Sequence, residues 1–269
     1  MKSKSKLQFF SLLIILLIGF NFTNATTLKE TFKKQLSCDG KPELEVKNSN
    51  GRIEVFSWDK NEVKIIAHIR VEGSESAAKK MLDRIEIEIE QDDNNIYVET
   101  LVPKGMHGNG GFFSWLFGDS RFSYSVDYEI SVPLESDLNL HTTNGRISVE
   151  KVSGKIKMNS TNGKINARDI SGLVQCKTTN CRIHAEINKI TSDEEMTFKT
   201  TNGSIKLYLP RDFGGDVDLE TTNGHIDSDF PLTVRNRWSK KHFRGKVNEG
   251  DGTLYCSTTN GSIYLYYND

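Results

Sequence analysis

From about residue 40 onward, apolar and polar positions alternate in short runs that meet at one recurring phrase. It reads Thr-Thr-Asn-Gly, any residue, then Ile, as in Thr142-Thr143-Asn144-Gly145-Arg146-Ile147, and it returns around Asn162, Asn180, Asn202, Asn223 and Asn260. A looser copy is Asn48-Ser49-Asn50-Gly51-Arg52-Ile53. Aligned on the central Asn, the position six before it holds Leu44, Leu138, Ile156, Val174, Met196, Val217 and Leu254. The position four before holds Val46, Leu140, Met158, Cys176, Phe198, Leu219 and Cys256, and the position three after is always Ile. Five after come Val55, Val149, Ala167, Ala185, Leu207, Ser228 and Leu265, with Ser228 the polar exception. Intervening positions are mostly polar. Alternation with period two on both sides of a turn predicts strand, corner, strand, with one face buried. Successive central Asn residues from Asn144 are 18, 18, 22, 21 and 37 residues apart. Those are coil lengths of a small solenoid with one long insertion.

The corners Asn144-Gly145, Asn162-Gly163, Asn202-Gly203, Asn223-Gly224 and Asn260-Gly261, and Asn180 before Cys181, are predicted to be structural. Gly takes positive φ at no Cβ cost, and Asn tolerates the left-handed region. The Thr or Ser two before each Asn shares the inward phase, where stacked hydroxyls would satisfy one another or the turn backbone. The same phrase also suits a two-residue hairpin. Two architectures follow: a coil-on-coil β-solenoid, or an antiparallel β-sandwich of hairpins. Like residues down each column favour stacking, which brings equivalent positions into contact.

Ahead of the main array, Val63 to Val71 alternates as a strand, and Ser74 to Arg84 reads as one short helix. Ser74 suits its N-cap, Glu75 its positive end, and Ala77, Ala78, Met81 and Leu82 form its apolar face. Strand periods resume at Ile85-Ile87-Ile89 and from Ile96 to Val102. The expected organisation is an N-terminal segment 1–25, a β region 26–133 that covers one end of the stack, and the repeats over 134–269. Residues 103–125 break the pattern with Gly and the aromatic cluster Phe112, Phe113, Trp115, Leu116 and Phe117. That loop either folds over a coil end or projects to a protein partner or a membrane interface.

The repeated Thr-Thr-Asn-Gly-x-Ile, the ending from Gly250-Asp251-Gly252-Thr253-Leu254 through Ile263, and the strand Val126-Asp127-Tyr128-Glu129-Ile130-Ser131-Val132-Pro133 together resemble a bacterial putative-adhesin family. Its members are β-strand-repeat proteins of unknown biochemical function. The resemblance spans most of the chain after residue 40. It implies an exported β-solenoid-like domain and carries no catalytic residue. Cys181 departs from the pattern by replacing a corner Gly.

Composition and charge narrow the function classes. Lys2, Lys4 and Lys6 precede the apolar run Leu12 to Phe20 and the small site Thr23-Asn24-Ala25, the layout of a secretory signal. The run is shorter than the ~20 residues a membrane span needs. The whole chain has net charge −1. Without residues 1–25, which hold three Lys and no acid, it becomes 32 − 36 = −4. That balance gives no global argument for binding nucleic acid, and none is expected as a partner. The outward column two after each Asn reads Arg52, Arg146, Lys164, Arg182, Ser204, His225 and Ser262. Stacked ~4.8 Å apart, Arg146, Lys164 and Arg182 form a candidate anion-binding ladder for a polysaccharide or lipid phosphate. A second basic run, Arg235 to Lys246 with Trp238 and Phe243, reads as a strand pair with a charged outer face.

Four cysteines are present, and Cys176 and Cys256 share a core column three repeats apart in sequence order. That is ~14 Å at strand spacing, which predicts free thiols. The six histidines show no ligand spacing, and no nucleophile, phosphate-loop or metal motif occurs. The expectation is therefore a non-enzymatic, cofactor-free, exported repeat protein at the periplasm, cell surface or outside. It would bind an envelope protein, a polysaccharide or a lipid surface. The alternatives are a partner-binding component of an envelope stress or regulatory system and, more remotely, an enzyme acting on polysaccharide.

Overall fold

The computed structural model describes residues 26–102, 122–190, 195–239 and 241–268, with backbone alone for 234–239. In chain order, β1 (Thr26–Ser37) precedes the first coil, made of β2 (Glu43–Asn50) and β3 (Ile53–Trp58). Next come β4 (Glu62–Gly73), helix α1 (Glu75–Leu82), β5 (Glu86–Asp92), β6 (Asn95–Leu101) and β7 (Ser123–Pro133). The repeats follow as β8 (Asp137–Asn144), β9 (Ile147–Glu150), β10 (Ser153–Ser160), β11 (Ile165–Thr178), β12 (Ile183–Lys189), β13 (Met196–Thr200) and β14 (Ile205–Leu209). The last part holds β15 (Gly215–Thr221), β16 (Ile226–Ser228), β17 (Leu232–Ser239), β18 (His242–Val247), β19 (Gly252–Thr258) and β20 (Ile263–Tyr267).

Strands before each corner pair in parallel to build one ladder, and strands after it build a second. Residues pair with their equivalents: Ile156 with Leu138 and Val174, Ile165 with Ile147 and Ile183. β11 is long enough to belong to both ladders, its ends joined across a register shift between Ala167 and Ser171. Inward columns from the two ladders fill the space between them, and Leu44, Leu140, Ile165, Ala185, Phe198 and Leu265 are all buried. The architecture is the β-solenoid, not the sandwich of hairpins.

The corner geometry differs from the expectation and explains that outcome. A two-residue hairpin of the Asn-Gly kind needs positive φ at both central residues. No corner Asn has positive φ, and of the corner glycines only Gly51 does, at 125°. Gly is required instead for close approach. A Cβ on Gly163 would lie 1.6 Å from the carbonyl oxygen of Gly145, and one on Gly145 would lie 1.8 Å from that of Gly51. Backbone touches backbone from coil to coil at these glycines, which leaves no room for a side chain there; Cys181 is the one corner that accommodates one. The inward hydroxyls occupy the same gap: Ser160 donates to the Gly145 carbonyl at 3.0 Å and Thr178 to Gly163 at 3.0 Å. Thr200 donates to the Cys181 carbonyl at 2.8 Å, so the stack continues through the one corner that lacks Gly.

Coils do not stack in sequence order. The final coil, β19 and β20, inserts between the Asn202 coil and the Asn223 coil: β13 pairs with β19, and β19 with β15. The corner amides record the order. Asn144 donates to Asn50 at 2.7 Å, Asn162 to Asn144 at 2.8 Å, Asn180 to Asn162 at 2.6 Å and Asn202 to Asn180 at 2.9 Å. Asn260 then donates to Asn202 at 2.7 Å, and Asn223 to Asn260 at 2.8 Å. Cys176 and Cys256 are accordingly two coils apart, not three, with Phe198 between them in register. That separation, ~10 Å at strand spacing, still exceeds disulfide reach, and all four cysteines are free.

Both ends are covered. At the N-terminal end β7 extends ladder two, β4 and β1 add antiparallel to it, and β6 and β5 extend ladder one. Helix α1 begins at the Ser74 cap, whose side chain accepts from the Ala77 amide, and it buries Ala77, Ala78 and Met81. Within this end Tyr128 is fully buried, and its hydroxyl meets that of Thr100 at 2.7 Å, joining the two ladders. At the far end β18 and β17 form the expected strand pair, antiparallel against β15, with Phe243 fully buried.

Candidate functional site

The stack turns one residue column into one line. Arg146, Lys164 and Arg182 are exposed on successive coils, set by the bonds that Ile53, Ile147 and Ile165 amides make to the carbonyls of Arg146, Lys164 and Arg182 at 2.9, 3.0 and 3.2 Å. Arg52 heads the column, but its guanidinium is engaged by Glu54 at 3.5 Å, Asp127 at 3.6 Å and Glu129 at 3.9 Å. Arg146, Lys164 and Arg182 make no ion pair among the described residues. Beyond them the column becomes Ser204, Ser262 and His225, where Ser262 Oγ meets His225 Nδ1 at 3.0 Å. The three cations therefore form a short block within the column.

Around this block the whole corner edge lacks acid. From six residues before to five after the Asn, the coils of Asn144, Asn162, Asn180, Asn202 and Asn260 contain no Asp or Glu. Coil order makes those five consecutive. On the same edge and its flanking strands stand Lys157, Lys177 and Lys199, all exposed, together with Lys206. These four carry little signal in the sequence, because their columns mix Lys with acidic, neutral polar and aromatic residues. Acid returns in the coils that bound the block, at Glu45 and Glu54 on one side and at Asp218, Glu220 and Asp227 on the other. Like charges ~4.8 Å apart along an edge repel one another and raise a local positive potential that an anion relieves. The ladder fixes their backbone positions, so the freedom lost when a linear anion lies across them is confined to the side-chain rotamers.

The other predicted sites fall differently. Asn144, Gly145, Asn162, Gly163, Asn180, Asn202, Gly203, Asn223, Gly224, Asn260 and Gly261 are the structural spine described above. The aromatic cluster Phe112, Phe113, Trp115, Leu116 and Phe117 lies outside the described residues, as does the 1–25 segment. Phe122, at the end of that loop, is half-buried against the core. In the basic run of the last interval, Arg244 Nε donates to Asp218 at 3.0 Å and Phe243 is core, so part of its charge is already neutralised. Among the described residues no three His, Cys, Asp or Glu side chains group as a metal site requires, and no helix is long and apolar enough to cross a membrane. Burial pushes the thiols of Cys176 and Cys256 well above the ordinary cysteine range, so neither is a nucleophile at neutral pH.

The chain matches the Toastrack DUF4097 family over residues 25–265, and it belongs to that family. No curated protein matches it. Among solved structures it is similar to a "putative cell adhesion protein" from Clostridium sporogenes, at 14% identity and a TM-score of 0.47, covering 89% of this chain and 100% of that one. It is also similar to a "putative adhesin" from Bacteroides fragilis, at 8% identity and a TM-score of 0.42, with 88% and 97% covered. A "putative lipid binding protein" from Parabacteroides distasonis aligns at 10% identity and a TM-score of 0.29, with 88% and 96% covered. Likeness at this level carries no information on ligand or activity.

Proposed function

We propose that this protein is a non-enzymatic, exported, adhesin-like repeat protein that holds a linear polyanion of the cell envelope or surface along its corner edge. The observation behind the reading is a run of five consecutive coils whose corner segments, from six residues before to five after the Asn, hold no carboxylate, the first three of them carrying stacked cations that have no ion partner among the described residues. In a chain of net charge −1, that edge concentrates positive potential where a repeating cation can meet a repeating anion. Export rests on the signal-like residues 1–25, and a repeat scaffold with an extended binding edge suits a polymer better than a small molecule.

Long-chain polyphosphate serves as the probe. Replacing Arg146, Lys164 and Arg182 together by Gln is expected to lower polyphosphate affinity more than tenfold in calorimetric titration and to leave the melting temperature unchanged, since all three side chains are exposed. Undiminished affinity in the triple variant would overturn the reading.

A further inference from the structure

The outward face of ladder two changes character towards its far end. Tyr208 and Tyr266 are cross-strand partners on β14 and β20, with ring centroids 5.3 Å apart and planes at 47°. Tyr264 stands two residues from Tyr266 on the same face, at 5.9 Å and 25°. His184 extends the row to 5.3 Å from Tyr208, and His225 meets Tyr264 edge-on at 5.5 Å and 88°. Five rings thus run without a break across four neighbouring coils, and the three tyrosines are only half-buried.

Cross-strand aromatic pairing by itself stabilises a sheet. It accounts for the rings touching one another, but not for what borders them. The Lys206 ammonium lies 5.2 Å from the Tyr264 ring centre and leads from the row onto the carboxylate-free edge. On the row's other margins are the carboxylate of Glu186, 2.7 Å from His184 Nε2, and Asp227, in register with Tyr264. An apolar ring face with a hydroxyl tip takes the C–H face of a sugar ring, while adjacent carboxylates and imidazoles accept from or donate to sugar hydroxyls. The spacing of the rings is comparable to one pyranose residue. A lipid surface would instead call for aliphatic side chains beside the rings, and the outward neighbours here are charged.

We infer that the row Tyr208–Tyr266–Tyr264, flanked by His184 and His225, is a subsite for sugar rings of an acidic polysaccharide, whose anionic groups lie along the carboxylate-free edge. This deepens the reading under Proposed function and rests on it.

Polygalacturonate and polyphosphate of matched charge number separate the two. The wild-type chain is expected to bind polygalacturonate at least tenfold more tightly than polyphosphate. Tyr208→Ala with Tyr266→Ala should abolish that preference and leave polyphosphate binding unchanged, whereas Tyr208→Phe with Tyr266→Phe should retain it. Equal wild-type affinity for the two polymers, or a preference that survives the double Ala change, would overturn the aromatic subsite while leaving the charged edge intact. Loss of polyphosphate binding belongs to the triple-Gln comparison and speaks to the edge alone. Saturation transfer from tyrosine ring protons to the C–H protons of oligogalacturonate tests the unsubstituted protein, so the outcome does not depend on how the variants fold. Transfer is expected, and its absence under saturating sugar would overturn the subsite.

Discussion

At the scale of single residues, the corner glycines let the coils approach closely, for reasons of space and not of torsion, and only the Cys181 corner does without one. Gly163 has ordinary φ, yet a Cβ there would lie 1.6 Å from the Gly145 carbonyl oxygen. Gly40 is the reverse case, with φ of 87° and nothing within 4 Å of the place a Cβ would take. Gly163→Ala is therefore expected to cost about 3 kcal/mol, the upper part of the overpacking range. Gly40→Ala should cost about 1 kcal/mol of left-handed strain. Chemical denaturation of both variants checks the order, and equal costs would mean that the backbone at Gly163 shifts to admit a methyl group and that close approach does not require glycine there. The recurrent pairing of Asn with Gly looks the same under either explanation, so composition alone could not separate them.

At the scale of elements, most of the fold was legible because burial follows period. The inward columns set by alternation are the buried columns of the structure, and the helix predicted over 74–84 forms over Glu75–Leu82 from its Ser74 cap. Even the polar exception has a place. Ser228 sits in β16, the terminal strand of ladder two, half-buried, with its hydroxyl accepting from the Phe230 amide at 3.1 Å. Less legible was the second corner, opposite the Asn edge. There Lys151 and Asp169 adopt positive φ of 57° and 52°, and a Cβ on Gly172 would lie 2.3 Å from the Gly154 carbonyl oxygen. Its signal, Val152-Ser153-Gly154 and Ile170-Ser171-Gly172, occurs only twice and is hidden by the stronger repeat. Of the site, the Arg146–Lys164–Arg182 ladder was visible as a column, whereas the tyrosine row was not. Tyr208 and Tyr266 become neighbours only once the last coil is inserted.

At the scale of the whole molecule, coil order is the feature that alternation cannot supply, since like columns let any coil lie beside any other. The hairpin decides it. After β16 and β17 the chain returns as β18, which occupies one edge of β15, so the last coil has only the other edge of β15, facing the Asn202 coil. Insertion there makes the five acid-free corner segments consecutive and removes Asp218, Glu220 and Asp227 to the margin. In a Cys181→Ser background, Lys199→Cys with Ser257→Cys should form a disulfide on mild oxidation, because those residues are paired in register. Lys199→Cys with Glu220→Cys should not, lying two strand spacings, ~10 Å, apart. A bridge in the second pair alone would restore sequence order and break up the edge. The edge itself is tested most directly by lysine acetylation footprinting of the intact protein with and without polyphosphate. Protection of Lys157, Lys164, Lys177 and Lys199 is expected, with Lys29, Lys33 and Lys79 at the N-terminal cap modified as before. Protection of the cap lysines, or uniform protection of all seven, would contradict a polyanion held along the corner edge.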